Sequence, residues 1–154
     1  MATIPDQTHP SLSASFSANT DFTLLAEHCE HLATGLLENS APPLRMAFCG
    51  RLATCLDLLR PGLYDPIPPH LQESLTTDTL PDQQPEFAPD PELLCEYCHA
   101  LTQVLLAGGV SAQVEKTLTG LLYELVCFFS DGLRAPRWIR TPEGVKFIED
   151  AVKH

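Results

Sequence analysis

The chain has 154 residues, 44% of them hydrophobic, and a formal net charge of −11. That length suits one ordinary domain with a packed core. The acidity, with no broad basic surface, argues against nucleic-acid binding. The longest apolar run, LLYELVCFF at 121–129, is broken by Glu124 and is shorter than the roughly 18 residues of a membrane span, so no membrane partner is expected.

Residues 1–20 are rich in Ser, Thr, Ala and Pro and carry few large apolar side chains. They hold too little apolar surface to repay ordering, so a mobile tail is expected. The segment has neither the basic nor the apolar region of a secretory signal. The expected location is therefore the cytoplasm, where thiols stay reduced. A polar, Ser-rich start also suits a secreted or injected effector, or its acidic chaperone.

From Thr20 the spacing changes to helical. Leu25, Cys29, Leu32 and Leu36 form one stripe, with a Thr or Asp cap before it and Asn39-Ser40 after it. A second helix follows, with Ser40 as the expected cap and prolines in its first turn, where no amide hydrogen bond is lost. Leu44, Phe48, Leu52, Cys55 and Leu59 form its stripe, and Pro61-Gly62 closes it.

Residues 64–91 hold seven of the fourteen prolines. No long helix or central strand can run through them; a short helix fits only at HLQESLTT. From Tyr64 to Glu92 there are seven acids and no Lys or Arg, which is −7 of the −11. This acidic arm is long for a loop within one domain.

A third helix is expected from Pro91, capped by Asp90 and stopped at Gly108-Gly109, with Leu94, Cys98, Leu101 and Leu105 as its stripe. A fourth runs from the Ser111 cap to Asp131-Gly132. Apolar residues including Leu121, Leu125, Val126, Phe128 and Phe129 cover more than half its circumference. A helix that apolar is either the most buried of the set or part of an interface. Last, TPEGVKFIEDAVKH reads as a short terminal helix, with Thr141 as cap and Val145, Ile148 and Val152 inward. No segment has a convincing period of two.

The two helix pairs align with each other. At an offset of 69, Leu25, Glu27, Cys29, Leu32 and Leu36 meet Leu94, Glu96, Cys98, Leu101 and Leu105. With one residue added in the turn, Gly50, Leu52, Gly62 and Pro66 meet Gly120, Leu122, Gly132 and Pro136. The expected fold is all-α. Two pseudo-symmetric helical hairpins, 21–63 and 92–133, form a four-helix bundle. The Pro-rich acidic connection 64–91 joins them, and a C-terminal segment 134–154 ends in the short helix. Residues 21–154 would be a single helical domain.

CEYCH, Cys95 to His99, has the spacing that attaches a c-type haem. Haem attachment needs export to an oxidising compartment, and no export signal is visible. A zinc site is the stronger competitor: Cys95, Cys98 and His99, with Cys29 from the first hairpin, are the right ligand types. The spacing is irregular, however, and no second Cys-x-x-Cys is present. Cys98 also lies in an apolar stripe, where a free cysteine acts as a small hydrophobe. Cys49, Cys55 and Cys127 read as core in the same way. Glu27 and Glu96 could form a carboxylate pair, but only Glu96 and His99 have a clean Glu-x-x-His spacing, and both glutamates read as solvated faces.

No nucleophile elbow and no phosphate-cradling glycine loop is present. The expectation is a non-enzymatic module without a cofactor, a cytoplasmic adaptor, inhibitor or regulator that binds another protein or a second copy of itself. Its candidate contact residues are Phe128, Phe129, Arg134, Arg137, Trp138 and Arg140, since Trp and Arg are common anchors at interfaces. A Cys/His zinc protein is the remaining alternative.

Overall fold

The computed structural model describes residues 9–82 and 86–152. The chain is mostly helical, and it divides into two compact units with the boundary between Leu80 and Pro81.

The first unit opens with α1, Pro10–Ser13. α2, Phe22–Glu38, and α3, Pro42–Leu59, then form an antiparallel hairpin. Asp21 caps α2, its carboxylate accepting from the amides of Thr23 and Leu24 at 3.0 Å. The expected Ser40 cap of α3 is not used. Ala41 is the cap residue, and no side chain bonds there. Arg45 ties the turn instead, its guanidinium donating to the carbonyls of Leu36 and Asn39 at 2.7 and 3.0 Å. Those carbonyls lie at the C-terminal end of α2, where no backbone amide remains to bond them.

The core of this unit is Leu25, Leu32, Phe48 and Cys55. Phe48 is fully sealed because the α2 residue facing it is Gly35. A Cβ at Gly35 would stand 2.3 Å from the Phe48 ring.

Of the tail expected over residues 1–20, residues 1–8 lie outside the described residues. Leu12 and Phe16 pack on the α2–α3 core. Phe16 lies under the Arg51 guanidinium, 4.2 Å from its carbon to the ring centroid, and Arg51 donates to the Ala14 carbonyl. His9 meets Phe48 edge-on at 5.0 Å. Phe16 also lies 5.3 Å from the His28 ring, so two aromatic contacts and one cation–π contact hold this stretch. After α3 a 3-10 turn, Arg60–Gly62, leads into the acidic arm, which contains a second, Pro69–Leu71, with Leu71 buried.

The second unit is built on α4, Pro91–Ala107, and α5, Ala112–Arg134. Asp90 and Ser111 cap them, accepting from the amides of Leu93 and Val114. Gly108, at φ 67°, stops α4. α2 and α4 are both 17 residues long. Residues 39–41 and 108–111 make the two turns, so the second has one residue more. α5 runs through Gly132, past the expected stop, and ends only where Pro136 forces Ala135 into extended backbone.

The expected terminal helix is mostly a β-hairpin. β1, Trp138–Thr141, pairs antiparallel with β2, Gly144–Phe147, and only Ile148–Val152 forms a short α6. Thr-Pro-Glu-Gly is a tight turn rather than a helix start. Pro142 supplies the fixed φ, Gly144 takes φ 120°, and the Thr141 hydroxyl donates to the Gly144 carbonyl at 2.7 Å. Val145 therefore lies in β2 and not on a helical stripe.

Candidate interaction surface

α5 is the longest helix among the described residues, and none of its side chains is buried. The option that it would be the most buried helix is thus overturned. Leu121, Val126, Phe128 and Leu133 are each 44–46% exposed. A half-exposed Leu or Phe forgoes about 1 kcal/mol of burial. Phe129 is half-buried. Phe128 has one aromatic neighbour, Phe87, at 5.8 Å between centroids. Tyr123 is exposed, and its hydroxyl is held above its ordinary pKa first by a hydrogen bond with the Cys127 thiol.

Beyond Phe128 the chemistry becomes basic. Arg134 ends α5, where a cation faces the negative end of the helix dipole. Arg137 donates to the Leu133 carbonyl at 3.3 Å. The β1–β2 register puts Trp138 opposite Phe147 and Arg140 opposite Val145. Since side chains alternate along a strand, these four residues share one face. Trp138 meets Phe147 edge-on, 5.8 Å between centroids, and remains 61% exposed. Among the described residues the one ion pair is Lys146 with Glu143, so the three arginines have no carboxylate partner. The structure thus brings Trp138 and Arg140 onto one strand face, with Arg137 next to Trp138 in the chain. Phe128 lies six residues before the end of α5, about 9 Å along its axis.

The metal-ligand candidates are not gathered. Among the described residues no three His, Cys, Asp or Glu side chains converge as a metal site. Cys95 and His99 are exposed, Cys98 is half-buried, and Glu27 and Glu96 lie on open surface. Cys29 instead accompanies Cys55 in the first core. Burial pushes the Cys55 thiol up to about 11, with contact from the Cys29 thiol adding to the shift, and Cys55 donates to the Leu25 carbonyl at 3.3 Å. Cys49, expected in the core, is exposed. Among the described residues no helix is long and apolar enough to cross a membrane.

Sequence reasoning missed a second surface, on the acidic arm. Ile67, Pro69, Gln72, Leu75 and Thr76 line a shallow groove of about 340 Å³. An adjoining cavity adds Glu73 and Asp78. The available signal was the set of large apolar residues (Tyr64, Ile67, Leu75 and Leu80) scattered through an otherwise polar, Pro-rich stretch; all four are exposed.

Comparison with protein-family models, with curated proteins and with solved structures gives no match.

Proposed function

We propose that this chain is a non-enzymatic protein-binding module, a small adaptor, inhibitor or regulator working in the cytoplasm without a cofactor. The observation that carries the reading is α5: 23 residues, a broad apolar face and no buried side chain. Scattered apolar side chains on a surface need no explanation, but a contiguous apolar helix face does. Partner burial of that face is the direct explanation, with Phe128 at its centre, Phe129 beside it, and Arg134, Arg137, Trp138 and Arg140 at one end. The reading also takes the two hairpins as copies of one template, which equal 17-residue first helices and turns differing by one residue support.

The test is capture of binding partners on the tagged full chain and on Phe128→Asp, followed by reconstitution with the purified partner. The reading requires a partner that binds the wild type and loses at least about ten-fold in affinity for a Phe128→Asp variant of unchanged helix content. Equal binding by that variant overturns α5 as the docking face.

A further inference from the structure

The geometry points to a second docking site, the groove on the acidic arm, whose occupant is the Trp138 end of a second copy of this chain. This deepens the protein-binding reading, on which it rests, by naming one partner. The groove is lined by the apolar Ile67, Pro69 and Leu75 and the polar Gln72 and Thr76, and Glu73 and Asp78 line the adjoining cavity. Both acids are exposed, and neither has an ionic partner among the described residues. The β1–β2 hairpin presents the complement. Trp138 projects from it with more than half its surface in water, Arg140 shares its face, and Arg137 precedes it.

An apolar cavity of about 150 Å³ is enough for a benzene ring, so a groove of about 340 Å³ has room for an indole. An aromatic anchor in an apolar slot supplies most of the hold, and flanking opposite charges set orientation and on-rate. Charge complementarity selects the occupant. The chain is strongly acidic, yet its one basic cluster is at Arg134, Arg137 and Arg140, and its acid-rich segment is the arm. Each copy therefore holds both halves of the contact. Reciprocal exchange between two copies uses each half once and closes as a two-fold dimer.

Trp138 is the sole tryptophan, so its emission reports this contact alone. The experiment is a dilution series of the full chain followed by sedimentation velocity and by tryptophan emission. It is run on the wild type, on Glu73→Arg/Asp78→Arg, on Arg137→Glu/Arg140→Glu, and on an equimolar mixture of the two variants. The wild type is expected to dimerise, with emission moving to the blue as dimer forms. Each variant alone should dissociate at least about ten-fold more readily, and the mixture should regain the wild-type midpoint, because the exchanged charges match again. Should a charge-reversed variant lose helix content, Glu73→Gln/Asp78→Asn and Trp138→Ala take its place, both expected to weaken the dimer.

A wild type that is monomeric throughout overturns the proposal. So does a blue-shifted emission that ignores concentration and moves to the red in Glu73→Arg/Asp78→Arg, which would place the contact within one chain. A dimer indifferent to every charge change but dissociated by Phe128→Asp also overturns this site, while leaving the α5 reading intact.

Discussion

Leu25 and Leu94 occupy matching places in the two hairpins, and both are buried. In the second helix of each hairpin the match fails. Phe48 is sealed, whereas its counterpart Leu118 is half-buried; Cys55 is sealed, whereas Leu125 is half-buried. Arg51 holds Phe16 and the Ala14 carbonyl, but its counterpart is Leu121, 44% exposed. The first hairpin has a strap over its open side, built from residues 9–16. In the second unit the comparable contact is Phe87 on Phe128, and it leaves both rings about half exposed. Two amphipathic helices have only one seam to bury, and a hairpin needs a third layer to close a core. The chain supplies that layer to one hairpin, and the reading above assigns the other's to a partner.

Four substitutions probe this contrast. The largest effect is expected at Phe48: its replacement by Ala should cost about 3–5 kcal/mol in urea unfolding, against about 1 kcal/mol for Leu118→Ala. Equal costs would mean that the two interiors are alike. Next is Gly35→Ala. The new Cβ must displace the Phe48 ring, so about 1–2 kcal/mol should be lost despite the gain in helix propensity. At the matching, exposed Val104, substitution by Ala should stay within about 0.5 kcal/mol.

A third, smaller effect concerns Cys55. Its folded pKa is raised from 9.0 to about 11. Its contribution to stability is therefore complete below pH 9 and is lost as pH rises through the folded value. The wild type should lose more stability than Cys55→Ala between those two pH values, measured by unfolding at each. At pH 8 a thiol reagent should modify exposed Cys49 and Cys95 at once and Cys55 only on unfolding, with Phe16→Ala hastening the slow step. The smallest effect is at Asp21. Its carboxyl is held below the ordinary value, first by the Thr23 hydroxyl and then by the Leu24 amide. The cap is thus fully effective above the carboxylate range and fails as pH falls through it. Asp21→Ala should lower the melting temperature at neutral pH, and the difference should shrink in acid.

The four long helices were legible because their signals are local. Stripes at 3.6 spacing, the Asp21, Asp90 and Ser111 caps and Gly108 sit within a few residues of what they specify. The strap was illegible because it rests on contacts distant in sequence, such as Arg51 with Phe16, in a stretch whose composition reads as disordered. The β-hairpin was missed because Pro142 and Gly144 serve equally well as a helix start and as a tight turn. The alternation over four residues is also too short to decide. Of the candidate surface, the identities of Phe128, Trp138 and the arginines could be read from residue type. The sharing of one face by Trp138 and Arg140 depended on strand pairing that the sequence did not announce.

Hydrogen exchange of the full chain, read residue by residue at a concentration where it is monomeric, separates a closed hairpin from an open one. Amides from Leu25 to Cys55 should be protected about 100-fold more than those of α5, since the first hairpin closes its core unaided and the second does not. Equal protection of the two hairpins in the isolated monomer would contradict this, because α5 would then need no partner.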